Sequence, residues 1–212
     1  MNDSLAFGLG AAWTAGINLY ATVVFLGLVQ RLHLLHLFGI ERLPGELQAL
    51  DNWVIIGIAL TLYVIEFVAD KVPYLDTAWD IIHTFIRVPA GALIAYSATS
   101  ELGSAPHVMG LLLGGGGALT SHGTKASIRA VANLSPEPVT NWILSIVEDV
   151  SVFGLLLLAV VSPIALLIVI GLLSFVCLVL MIWLMPKALR VLRSTVRRAR
   201  VVFGGESSSG LC

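Results

Sequence analysis

Apolar residues fill six stretches of the chain, at residues 5–30, 53–69, 77–99, 108–131, 142–161 and 164–185. A helix needs roughly 20 apolar residues to cross a bilayer, so each stretch reads as a span. The third and fourth carry charge and are the ones a re-entrant segment would replace. A count of four spans plus two re-entrant segments therefore stands beside the count of six. The pattern predicts an all-α polytopic membrane protein.

Composition strengthens that reading. Hydrophobic residues make up 58% of the 212 positions and charged residues only 12%, about half the usual charged share of a soluble domain. A soluble fold of this size could not cover its surface with so little charge. The two cysteines, Cys177 and Cys212, give neither a disulfide framework nor a metal spacing. The start, MNDSLAFGLG, lacks a basic region ahead of its apolar run and reads as the beginning of the first span.

Charge placement sets an expected orientation. Six of the twelve basic residues are Lys187, Arg190, Arg193, Arg197, Arg198 and Arg200. Basic residues favour the cytoplasmic face, so the tail should lie there. With six spans, both termini would be cytoplasmic. The 187–203 stretch reads as an amphipathic basic helix on anionic lipid, and 204–212 as a disordered tail. The loop 31–51 is too apolar for a solvated linker and should hold a short interfacial helix. His33 and His36 within it read as packing residues, because nothing nearby completes a metal ligand set.

The polar residues inside the apolar stretches are the candidate chemistry. EFVADKVPYLDTAWDIIHTFIR, from Glu66 to Arg87, holds Glu66, Asp70, Asp76, Asp80, His83 and Arg87. At about 100° per residue, Asp76, Asp80, His83 and Arg87 share one helical stripe, and Glu66 and Asp70 share a face. Pro73 separates the two groups and predicts a bent hairpin. His122, Lys125, Arg129 and Asn133 form a stripe in the fourth stretch. Asn141, Ser145 and Glu148 form another in the fifth, with Asp149 beside it. Asn18 is a further candidate in the first stretch. Charges at membrane depth cost several kcal/mol each, and buried ion pairs stabilise poorly compared with apolar packing. The set reads as a polar cavity for an ion, proton or polar solute, with a purely structural ion-pair lock as the alternative.

The two halves look related. AGINLYAT (15–22) sits in the first stretch as HGTKASIR (122–129) sits in the fourth, and NWVIIGI (52–58) opens the second as NWILSIV (141–147) opens the fifth. A duplication over 5–99 and 108–186 would give inverted three-helix repeats with a site between them, with re-entrant or broken helices allowed for. The run Gly114–Gly117 predicts a break or hinge. Walker, nucleophile-elbow and HExxH spacings are absent.

The strings GINLYATV, EFVADKVPYLDTAWDIIHTFIR, HGTKASIRAVAN and SPEPVTNWILSIVED together resemble an uncharacterised family of bacterial integral membrane proteins catalogued as a domain of unknown function. The resemblance implies an integral inner-membrane protein and supplies no activity. The expected function is a transporter or channel for a small polar solute or ion, coupled to protons or cations. It would need no cofactor and no nucleic acid, and would associate with the bilayer, anionic lipid and, as a further expectation, copies of itself. An intramembrane enzyme on a lipid or lipid-linked phosphate is the first alternative, with acids holding a divalent metal. A structural or assembly subunit is the second.

Overall fold

The computed structural model describes residues 3–72, 75–133 and 138–204, with side chains at all of these except 77, 138, 185, 187, 188 and 191–204. The expected bend at Pro73, the basic stripe beyond Arg190 and the tail from 205 lie outside the described residues. Every described element is helical: α1 (Asp3–Ile17), α2 (Leu19–Arg31), α3 (Trp53–Ala69), α4 (Leu75–Ala98), α5 (Ser104–Ala132), α6 (Pro138–Val161) and α7 (Pro163–Gly204). Two 3-10 segments, Leu34–Phe38 and Gly45–Asp51, connect α2 to α3.

Three of these helices contain segments long and apolar enough to cross a membrane: Ala78–Ala98, Val139–Val161 and Pro163–Leu184. A fourth counts if Gly45–Asp51 and Trp53–Ala69, bent by 79° at their junction, form one span. The chain is thus an all-helical membrane protein. Its outward faces carry Phe85, Leu172, Phe175 and Ile182, all exposed, as lipid contact allows. The interior holds Arg87 and Arg129 at 0% exposure, the reverse of a soluble core.

The first apolar stretch is not one span. Asn18 adopts an extended backbone (φ −144°, ψ 100°) between α1 and α2, and its side-chain oxygen accepts from the Ala21 N–H at 2.9 Å. Asparagine is a preferred N-cap because that short oxygen can satisfy a free amide of the first turn. Helix restarts immediately, but in a new direction. Thr22 Oγ1 donates to Thr14 Oγ1 at 3.3 Å, whereas eight residues of straight helix span about 12 Å. Phe7 in α1 and Leu35, just beyond α2, line one cavity with Asp3, Gly45, Glu101 and Pro163. The chain therefore comes in along α1, turns at Asn18 and returns along α2 to the end of the bundle where it began.

That end also receives the last turn of α4 and the α6–α7 junction. The opposite end gathers the end of α3, the start of α4, the end of α5 and the start of α6 around the charged residues. The six-span count with both termini on one side rested on 5–30 crossing once, and the turn at Asn18 removes that premise. The repeat pairing weakens at the same point. The chain breaks within 15–22, while 122–129 is uninterrupted helix inside α5.

The glycine run in α5 is not a hinge either. α5 continues through it, because α1, α4 and α5 pack almost backbone to backbone. A Cβ at Gly110 would stand 2.8 Å from the Ala95 carbonyl, and one at Gly114 would stand 3.0 Å from the Gly91 carbonyl. On α1, a Cβ at Gly16 would collide with the carbonyl of Ala118 and with Ser121. Small residues serve close helix approach here, where packing rather than water drives association. Finally, α7 continues past Pro186 to Gly204 as one helix, so the basic tail extends the last helix instead of starting a separate one.

Candidate functional site

The stripes predicted on α3, α4, α5 and α6 converge on one network. Arg87 Nη2 donates to Glu66 Oε1 at 2.6 Å, and Arg87 Nη1 lies 3.5 Å from Asp80 Oδ1. Lys125 Nζ lies 3.3 Å from Glu66 Oε1, 3.4 Å from Asp70 Oδ2 and 3.3 Å from Glu148 Oε2. Arg129 forks onto Glu148, with Nε to Oε1 at 3.0 Å and Nη2 to Oε2 at 2.6 Å, and also reaches Asp70 and Asp76. Bidentate arginine–carboxylate pairs of this kind are the strong ones. Asn133 donates to Asp76 Oδ2 at 3.1 Å and accepts from Asn141 at 2.8 Å.

Asp80 pairs within its own helix. Its base is Arg87, two turns along its own helix, and not Lys125 or Arg129. His122 sits on the other side of that pair. Arg87 Nη1 donates to His122 Nδ1 at 3.1 Å. Because arginine can only donate, His122 Nδ1 is an acceptor and the proton sits on Nε2, facing Thr84 Oγ1 at 2.8 Å and the Asp80 carbonyl at 3.2 Å. His83 stands apart. Its Nδ1 donates to the Trp79 carbonyl at 2.8 Å, leaving Nε2 to accept from Tyr20 Oη at 3.0 Å.

The hairpin tip enters this network. Breaking the helix at Asn18 frees the Ile17 carbonyl, and two buried cations take it: Arg87 Nη1 at 3.0 Å and Lys125 Nζ at 3.3 Å. A bare carbonyl in a bilayer interior costs several kcal/mol, so the break and the cations require each other. Asn18 Nδ2 donates to Asp149 Oδ1 at 3.3 Å, and Tyr63 Oη donates to Asp149 Oδ2 at 3.2 Å. At the rim, Lys71 Nζ lies over the Phe67 ring, 2.9 Å from its centroid, and donates to the Phe67 carbonyl. Burial pulls its ammonium below the ordinary lysine pKa, opposed by Asp149 and Asp70.

Every residue singled out on α3 to α6 therefore joins the network, except His83 and Asp149, which contact the hairpin instead, and Ser145, whose hydroxyl accepts from Lys71 at 3.4 Å. The sequence reading missed Tyr20, Tyr63, Thr84 and the Ile17 carbonyl. A tyrosine inside an apolar span is itself a signal, because its hydroxyl needs a partner when buried. No sequence pattern marks a main-chain carbonyl.

Charge balance decides what the arrangement can do. Among the described residues, Glu66, Asp70, Asp76, Asp80 and Glu148 form ion pairs only with Arg87, Lys125 and Arg129, two more acids than bases. Glu66 Oε2, Asp70 Oδ1 and Asp80 Oδ2 are buried without a hydrogen-bond partner there. Also among the described residues, no three His, Cys, Asp or Glu side chains converge as a metal site.

A family model covers residues 5–187, almost the whole membrane-embedded part. The chain belongs to the DUF4126 family, a domain of unknown function. No curated protein and no solved structure matches it. The charge network of this family member thus has to be read from its own geometry.

Proposed function

We propose that this DUF4126 protein is a membrane transporter or channel for a small polar solute or ion, driven by or conducting protons or cations. One observation carries the reading. A helix break at Asn18 delivers a main-chain carbonyl to a buried cluster holding two more acids than bases, and a carboxamide to Asp149 beside it. Irregular backbone is tolerated at membrane depth where it is enclosed in protein or lines a polar cavity, and broken helices build the ion sites of many transporters. A surplus of buried carboxylates has to be neutralised by protons or by a cation, because each bare charge is costly in a low-dielectric interior. A lock made only for stability works with matched charges and gains nothing from the surplus.

In a bilayer the chain would form a re-entrant hairpin, α1–α2, followed by five crossing helices, α3 to α7. The basic residues of the tail favour a cytoplasmic carboxyl terminus. The amino terminus would then face the opposite side. For a bacterial chain, the membrane would be the inner one.

The test is reconstitution into proteoliposomes carrying an internal pH dye, with proton or monovalent-cation flux started by a diffusion potential. Flux should exceed that of protein-free vesicles. Asp80→Asn should reduce it at least about tenfold while eluting as a folded species, the size expected when a required ionisable group is removed. Flux at the protein-free level for protons and every monovalent cation tried would refute the proposal. A structural or assembly role is the second reading, favoured by each of the three bases contacting two or more carboxylates. It expects Asp80→Asn to lower stability and no flux in any variant.

A further inference from the structure

Asp149 differs from the other acids. Among the described residues no base lies within ion-pair distance of it, and both its oxygens accept from neutral donors. Those donors come from different elements: Asn18 from the hairpin tip and Tyr63 from α3. One half-buried carboxylate on α6 thus ties three parts of the fold together. One helical turn on, Phe153 repeats the junction in apolar form, with ring centroids 6.2 Å from Phe25 of α2 and 6.4 Å from Tyr63. The Asn18 amide cannot swing freely, because its oxygen is held by the Ala21 N–H. Its nitrogen is therefore aimed at Asp149 by the same contact that starts α2.

We infer that Asp149 is a proton-binding latch on the re-entrant hairpin, closed when ionised and released when it takes up a proton. An ionised carboxylate accepts hydrogen bonds about twice as strongly as a neutral carboxyl group. The proton binds and leaves one carboxylate oxygen of Asp149, midway along α6, so no other group need change. The charged groups facing Asp149 are Asp70 at the end of α3, Lys71 just beyond it, Lys125 on α5 and the adjacent Glu148. Of these, Lys71 and Lys125 are cations, and Asp70 and Glu148 are acids. The hairpin whose tip it holds also carries the Ile17 carbonyl bound by Arg87 and Lys125. Release of Asn18 therefore removes one anchor of the tip and leaves it held through the Ile17 carbonyl and the contact at Gly16. The inference deepens the proton-coupled reading and rests on it for its physiological role. The latch itself can be tested without any flux.

The experiment is fluorine NMR of the full-length protein in nanodiscs, with Val23→Cys on α2 carrying a trifluoromethyl label and Cys177→Ser and Cys212→Ser removing the native thiols. A second resonance should grow as the pH falls from about 8 to about 5, an interval that brackets an embedded carboxyl group. Above the midpoint its population should rise about tenfold for each unit the pH falls, the change one pH unit makes in the protonated-to-ionised ratio. Asp149→Asn should show the second resonance at every pH, and Asp149→Glu should restore the titration. Tyr63→Phe should raise the second resonance at high pH, an independent check should Asp149→Asn fold poorly. A spectrum unchanged by pH would overturn the inference. So would a titration that survives in Asp149→Asn, which would assign it to another group such as His83 beside Tyr20. A titrating spectrum with no flux in vesicles would remove the transport reading and keep the latch. Flux without titration would do the reverse.

Discussion

Arg87 Nη1 donates to the carbonyl of Ile17 at 3.0 Å, while Nη2 of the same guanidinium holds Glu66 at 2.6 Å. One side chain on α4 thereby fixes both the hairpin tip and the end of α3. A point charge cannot span both partners in the way a planar fork does. Arg87→Lys should keep the charge but lose one contact, costing about 1–2 kcal/mol. Arg87→Met should leave buried carboxylates without their base and cost about 3–5 kcal/mol. Thermal unfolding in detergent checks the order; equal losses would mean that the fork has no special role.

Sidedness separates the hairpin from a single first span. Asp3→Cys and Ser104→Cys should both react with an impermeant thiol reagent from one side of the membrane, and Lys71→Cys from the other, in a background lacking Cys177 and Cys212. A first stretch that crossed once would instead put Asp3 on the side of Lys71.

Arg129 and Glu148 share two hydrogen bonds at 3.0 and 2.6 Å. A double-mutant cycle of Arg129→Met and Glu148→Gln should give a coupling of about 2–3 kcal/mol, the upper range for residues in one network. A coupling near zero would show that Asp70 and Asp76 replace Glu148 at no cost.

Gly16 is the point where α1 crosses α5, against Ala118 and Ser121. Gly16→Val should cost about 1–3 kcal/mol through overpacking and should displace the Asn18 tip. Gly57 has open space around its Cβ position, so Gly57→Ala should leave the melting temperature nearly unchanged.

The basic tail should add affinity for anionic lipid. Replacing Arg193, Arg197 and Arg198 together with glutamine should weaken binding to anionic vesicles by up to about 1 kcal/mol per residue and leave the embedded helices folded. Binding that does not depend on lipid charge would oppose this.

The membrane class, the helical content and most members of the ion network were legible in the sequence. Hydropathy marks the apolar stretches, and the helical repeat places Asp76, Asp80, His83 and Arg87 on one face. The fold at Asn18 was not legible, because asparagine inside an apolar run is compatible with a continuous helix. What bends the chain is tertiary: two cations from α4 and α5 waiting for the Ile17 carbonyl. The glycine run misled for a related reason. Its flexibility in isolation is overridden once Gly114 is pressed against Ala95 and Gly91. Individual partners, such as Arg87 for Asp80, also depend on helix rotation and depth, which spacing along one helix does not give.

The re-entrant hairpin also constrains how the protein is made. Its tip is held by Lys125 and Asp149, which leave the ribosome more than a hundred residues after Asn18. A segment made before α3 is thus among the last to reach its final place. Until α4 brings Arg87 and α5 brings Lys125, the Ile17 carbonyl lacks its pair of cations, and residues 1–50 need shelter from the insertion machinery or at the membrane surface. Chains stalled before residue 149 should accordingly remain open to a protease near Asn18, and completed chains should be protected there.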